Sequence, residues 1–195
     1  MDDTRSEAYA ERLRTKGDAR WKRLLNVQAP YRWNLRRQQL GRTLDVGCGI
    51  GRNLASLPDG SVGVDHNEEA VAEARRRGHA ALTTDEWAKS DLRVPGSFDS
   101  LLLAHVIEHM DEDSAVALLR EYLPYLKPQG TVFFICPQER GYASDPTHVR
   151  FVDLSALDEL ARTVGLTPEA AFSFPLPRVA GRVFTYNEFC LRARA

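Results

Sequence analysis

Past a polar opening stretch, apolar residues in this chain fall into short runs that alternate with helical stripes. Thr43 to Gly47, Val62-Gly63-Val64-Asp65, the weaker 79–83, 98–104 and 131–136 read as strands, and further strands are expected near 169–175 and 183–193. The run at 98–104 is apolar enough for a strand buried on both faces. Between the strands, helices are expected from about 51 to 57, from Asn67 to a stop at Gly78, over 112–126 and over 153–164. Asn67 suits an N-cap, with Glu68 and Glu69 in the first turn. Ala115, Leu118, Leu119, Tyr122 and Leu126 recur at helical spacing, as do Leu154, Leu157, Leu160 and Val164 before Gly165. Strand-helix alternation with short turns predicts an α/β fold: one doubly wound, mostly parallel sheet with ligands beyond the carboxyl ends of its strands. Residues 1–42 read as about three short helices broken at Gly17 and Pro30, an N-terminal helical cap on the same domain, with 43–195 as the sheet-bearing part.

Composition narrows the choices. The 195 residues carry 43% hydrophobic and 27% charged positions with a formal net charge of −1, which suits one soluble domain and makes nucleic acid an unexpected partner for the whole chain. Residues 1–43 are locally basic, with eleven Lys/Arg against five Asp/Glu, and include Trp21, Tyr31 and Trp33. No apolar run is long enough for a membrane helix. Met1-Asp2-Asp3-Thr4 lacks the basic and apolar regions of a signal peptide, so a cytoplasmic protein is expected, as a monomer or homodimer. Cys48, Cys136 and Cys190 lack metal or redox spacing and read as reduced thiols.

The chemistry concentrates in Asp45-Val46-Gly47-Cys48-Gly49-Ile50-Gly51-Arg52-Asn53 and in Asp65. Alternate glycines allow a tight turn and close approach of a ligand. A following helix would aim free N–H groups at it, and Asp65 at a strand end is placed to accept from a ribose diol. A dinucleotide loop needs G-x-G-x-x-G, whereas here Arg52 stands where the third glycine would fall. Asp45 would repel a diphosphate and attract an ammonium or sulfonium.

This pattern resembles the first motif of class I S-adenosylmethionine-dependent methyltransferases, D/E-x-G-x-G-x-G, and the chain is similar in particular to type 11 small-molecule enzymes. The resemblance continues through Asp65, Asp85-Glu86-Trp87, the block Ser97 to Met110 and the block Lys127 to Ile135. It implies a Rossmann-like methyltransferase fold of seven strands in the order 3-2-1-4-5-7-6, the last strand antiparallel. It implies S-adenosylmethionine as cofactor, leaving as S-adenosylhomocysteine, held by Asp45, Gly47, Gly49, Gly51, Arg52, Asp65, His66, Asp85, Glu86, Trp87 and His105. Asp85 would take the adenine amino group, with the Glu86 backbone and Trp87 ring flanking the base.

His105, Glu108 and His109 form H-x-x-E-H, and His148 follows later. If helical, the first three share a face. The set is similar to the E-x-x-E-H plus later His metal ligands of small-RNA 2′-O-methyltransferases, but His105 replaces the first Glu and disfavours Mg²⁺. Enzymes without metal also carry Glu-His here, so no metal is expected, and His105, His148 and His109 are the catalytic candidates, as proton acceptors or positioning groups. Arg178, Arg182 and Tyr186 read equally as acceptor-binding or as rim residues. The expected acceptor is a small molecule, with oxygen slightly favoured. An RNA methyltransferase, a non-catalytic cofactor-binding module and a nicotinamide enzyme are the alternatives.

Overall fold

The computed structural model describes residues 28–195, so the helices expected before Pro30, with Gly17 and Trp21, lie outside the described residues. Helix α1 spans Ala29–Arg37, with Pro30 in its first turn where no N–H is needed and Arg36 and Arg37 in its last. Trp33 on this helix is 57% exposed, with the Arg37 guanidinium 4.6 Å above its ring.

Seven strands form one sheet in the order β3-β2-β1-β4-β5-β7-β6, as expected. The chain divides into two compact units, one ending at Leu92 and one beginning at Arg93. The first holds β1 (Thr43–Val46), β2 (Val62–Asp65) and β3 (Ala81–Thr83), parallel to one another, with Asp45 opposite Gly63 and Asp65 opposite Thr83. Helix α2 (Glu68–Arg76) starts at Asn67, whose side chain accepts from the Ala70 N–H, and it carries Val71 and Ala74 on its buried side. These two pack with Cys48, Leu54 and Ala81 in one apolar cluster. The short helix α3 (Thr84–Ala88) follows β3.

The second unit holds β4 (Phe98–Ala104) and β5 (Leu126–Pro137) as a parallel pair. Antiparallel β7 (Glu188–Arg194) lies between β5 and β6 (Thr167–Phe174). Leu101, Leu102, Phe133 and Phe134 are fully buried, at roughly 1.5–3 kcal/mol of transfer free energy each. Helices α4 (Glu112–Tyr122), α5 (Glu139–Tyr142) and α6 (Leu154–Thr163) complete it.

Three expectations need correction. The helix expected from about 51 to 57 is a single 3₁₀ turn, Leu54–Ser56. Gly49 and Gly51 are left-handed at φ 52° and 77°, so the turn extends past them. Only a few residues remain before Pro58, and they close with Ser56 N to Asn53 O and Leu57 N to Leu54 O. The helix expected over 112–126 ends at Tyr122 and tightens into a 3₁₀ turn, Leu123–Tyr125, because Pro124 brings no N–H. The last strand starts at Glu188 rather than near 183. Arg178–Arg182 is a 3₁₀ segment, and the buried Asn187 side chain holds the backbone of Leu176 and Pro177.

Candidate functional site

In the first unit, the loop after β1 folds over the end of β2. The N–H groups of Gly47 and Cys48 both donate to Val64 O, at 2.8 and 3.1 Å. Gly47, Gly49 and Gly51 all have positive φ, at 78°, 52° and 77°, which only glycine adopts without strain. Asp65 organises the loop: Oδ2 accepts from Gly49 N at 2.7 Å and Oδ1 from Asn67 N at 2.8 Å. Each oxygen keeps a second lone pair for a ligand.

Asp45 lies beneath this loop, fully buried, and neither of its oxygens has a hydrogen-bond partner. Burial, and then the Asp65 carboxylate, push its pKa from 3.8 up to about 8. An unmet buried acceptor of this kind costs about 1–3 kcal/mol, a cost a cationic donor would remove. Cys48 is packed: a Cβ on Gly63 would come within 2.6 Å of its Sγ. Burial and the charges of Asp45 and Asp65 push its thiol well up, so it is no nucleophile. All three cysteines are free and buried.

The remaining first-unit candidates divide. Arg52, His66 and Asp85 are exposed, and His66 Nδ1 lies 3.8 Å from Asp65 Oδ1. The Glu86 side chain is committed to structure. It caps Thr83 N at 2.8 Å while Thr83 Oγ1 accepts from Glu86 N, and it takes Arg75 Nη2 at 2.5 Å. The Arg75 bond, then the Thr83 N–H, hold its carboxyl below the usual range. Trp87 is 1% exposed, so the ring expected to flank a base has no face open; its size makes it a core anchor under α3 instead.

The second unit gathers the imidazoles, and not by a helix. His105 follows β4 at φ 59°, and a 3₁₀ turn, Ile107–His109, comes next. His105 Nε2 lies 3.0 Å from Glu188 Oε1, and its Nδ1 3.3 Å from Glu108 Oε1. Partial desolvation pulls the pKa of His105, whose side chain is 46% exposed, down, but Glu108 and Glu188 outweigh it and push it up to about 10. Burial alone would raise Glu108; the His105 contact and the charges of His105 and His109 hold it below the usual range. His109 is lowered by burial, Glu108 opposes this, and His148 adds to the lowering.

The segment after α5 brings His148 beside this group. Val149 N and Arg150 N both donate to Glu108 O, at 2.8 and 3.2 Å, and the His109 and His148 rings lie 4.8 Å apart. One ligand atom from each of Glu108, His109 and His148 falls within 4.8 Å of the others. Arg178, by contrast, pairs with Glu139 and stacks on Phe189 at 4.8 Å, which accounts for its charge without an acceptor. Glu188 escaped the sequence reading: it carries no local motif and meets His105 only through strand pairing.

Residues 43–130 match the model of a methyltransferase domain. Over those residues the chain is similar to a methyltransferase domain. A chain in the complex between the Haloferax volcanii Trm112 methyltransferase activator and the putative methyltransferase is similar over 99% of this chain and 97% of its own, at 20% identity and TM-score 0.69. A SAM-dependent methyltransferase from Archaeoglobus fulgidus is similar over 85% and 93%, at 20% identity and TM-score 0.66. Magnesium protoporphyrin IX methyltransferase from Synechocystis PCC 6803, crystallised with SAM, is similar over 100% and 98%, at 15% identity and TM-score 0.60. At such identities the methyltransferase domain shares a fold with these proteins. A comparison with curated proteins finds no match to this sequence. No helix among the described residues is long and apolar enough to cross a membrane.

Proposed function

We propose that this methyltransferase domain binds S-adenosylmethionine and moves its methyl group to a small-molecule acceptor, oxygen being favoured. The observation that carries the reading is Asp45: a buried carboxyl with both oxygens unpartnered, under a left-handed glycine loop and next to Asp65. A ligand bearing an ammonium satisfies it; a pyrophosphate does not. The missing first helix supports the same choice. A 3₁₀ turn of three residues, Leu54–Ser56, offers no helix N-terminus to a phosphate, which disfavours a nicotinamide dinucleotide.

When bound, the cofactor supplies a methyl group on a sulfonium, and the protein supplies position and electrostatics. Asp45 neutralises the ammonium. Asp65 keeps the loop closed through Gly49 N and accepts from the ribose hydroxyls. Arg52 and His66 are placed at the loop's exposed edge, and Asp85 is open to the adenine amino group. His105, held as an imidazolium between two carboxylates, positions Glu108 rather than taking a proton. His109 and His148, whose rings lie 4.8 Å apart in the second unit, are the candidates for proton acceptor.

Calorimetry with S-adenosylmethionine, S-adenosylhomocysteine and NAD tests this. Binding of the first two and not the third is expected, lost in Asp65→Ala with an unchanged far-UV circular dichroism spectrum. Full affinity in Asp65→Ala, or preference for NAD, overturns the placement. Acceptor screening with labelled cofactor then separates oxygen, nitrogen and carbon, and salt-insensitive turnover separates a small molecule from RNA.

A further inference from the structure

The segment between β6 and β7 has a property that neither the sheet nor the glycine loop requires. We propose that Leu176, Val179, Val183 and Tyr186, with Arg140 and Arg182, dock this unit reversibly on a lipid surface carrying anionic headgroups. The docking stands independently of the cofactor.

The segment is built inside out. Its inner side is polar. The buried Asn187 side chain accepts from Leu176 N at 2.9 Å and donates to Gln138 Oε1 at 2.9 Å. Gln138, also buried, donates to Ser173 Oγ at 2.8 Å and to Glu188 O at 2.9 Å. The 3₁₀ segment Arg178–Arg182 rests directly on this amide pair, since a Cβ on Gly181 would fall 1.9 Å from Gln138 Oε1. Packing this close leaves no room there for a valine. The outer side is apolar. Val179 is 70% exposed and Val183 79%, and Leu176 and Tyr186 are exposed on the same segment. Val183 N and Phe184 N both turn back to Ala180 O, at 3.1 and 2.8 Å, which puts Val179 and Val183 one turn apart on one face. Exposed apolar residues scattered singly are ordinary, but four on one pinned segment mark a contact surface.

Charge selects the occupant. Helix α5 packs against the segment, a Cβ on Gly141 falling 2.6 Å from Thr185 O. The charged residues of 139–142 and 175–187 are Glu139, Arg140, Arg178 and Arg182, a net positive set in a chain of net charge −1. Arg178 is taken up by Glu139, while Arg140 and Arg182 are exposed. Aliphatic tips flanked by arginine, with a tyrosine whose ring is apolar and whose hydroxyl is polar, suit the boundary between headgroups and acyl chains. Protein partners are anchored chiefly on tryptophan, tyrosine and arginine, with leucine and valine under-represented. The segment leaves β6 where Phe174 lies opposite Glu188 and Glu188 opposite Pro137, the same end of the strands at which His105 follows β4. Docking therefore turns that end toward the bilayer. Where the methyltransferase reading holds, the acceptor is then one with an apolar body dissolved in lipid; only this consequence rests on that reading.

The test is co-flotation of the full chain, without cofactor, on vesicles of phosphatidylglycerol and phosphatidylcholine in equal parts and on vesicles of phosphatidylcholine alone. Binding to the first, falling as salt is raised, and little to the second is expected. Val179→Asp and Val183→Asp should each weaken it more than about tenfold, and Arg182→Gln about fivefold, the share of one cation near an anionic surface. Val94→Asp, at an exposed valine outside the segment, should leave it unchanged. Circular dichroism of all these variants should match the parent. No binding to the anionic vesicles, or equal binding to both kinds, overturns the proposal. So does undiminished binding by both valine variants, which would move the contact to the basic residues 1–43. Dimerisation in the ultracentrifuge that the valine variants abolish, with no vesicle binding, would overturn it in favour of an interface between copies. S-adenosylmethionine affinity, measured by calorimetry on the same variants, should match the parent, so a failed docking surface and a failed cofactor reading give different results.

Discussion

Replacing Asp45 by Asn removes one ionisable group from beneath the glycine loop and keeps its shape. In the folded protein this carboxyl titrates at about 8, against an ordinary 3.8, because it is buried and faces Asp65. The folded pKa lies above the unfolded one, so the carboxyl binds its proton more tightly in the fold. Stability attributable to it is highest below about pH 4, falls as pH rises and levels off above about pH 8. At 1.36 kcal/mol per unit, the ionisable group costs roughly 4 kcal/mol at pH 7 and roughly 1.7 kcal/mol at pH 5. Urea unfolding of the parent and of Asp45→Asn, at pH 5 and pH 7, isolates this group from every other titration. The parent should lose about 2.5 kcal/mol more than the variant between the two pH values. The same carboxyl should ionise when the ammonium arrives, so cofactor binding at pH 7 should release close to one proton, read from calorimetry in buffers of different ionisation enthalpy. Parallel stability profiles for parent and variant would refute the reasoning, because Asp45 would then be ionised in the free protein.

Other perturbations probe the scaffold. Asn187→Ala removes the side-chain bonds to Gln138, Leu176 and Pro177. It should cost about 3 kcal/mol or more in urea unfolding, with faster amide exchange in the segment before β7. Gly63→Ala drives a Cβ to 2.6 Å from Cys48 Sγ and 2.8 Å from Leu54 Cδ1, and should lower stability by about 1–3 kcal/mol. It should weaken cofactor binding too, since Cys48 lies within the glycine loop. At Gly60 the nearest atom to an added Cβ is 3.9 Å away, so Gly60→Ala should cost only the left-handed backbone preference, about 1 kcal/mol, and leave cofactor affinity unchanged. Trp87→Ala empties a fully enclosed site and should cost about 3–5 kcal/mol, lowering the melting temperature and disturbing the neighbouring Asp85 segment.

The alternation of apolar runs and helical stripes was enough to place β1, β2 and β4 to within a residue, because burial and period are local properties. The glycine loop was legible for the same reason: left-handed turns need glycine, and Asp65 sits two residues before the Asn67 cap that begins α2. The helix after the loop was misread because helical composition at 51–57 says nothing of how far a glycine turn will run before Pro58 stops it.

What the sequence by itself determined, then, was the order of strands and helices, the backbone freedom of the glycine loop and the place of Asp65 at the end of β2. Tertiary structure alone decided that Asp45 is sealed from water, that Trp87 belongs to the core, that His105 is held between Glu108 and Glu188, and that His148 meets His109. These are contacts between residues far apart in the chain. Their energies depend on what surrounds each group, and no short stretch of sequence carries that information.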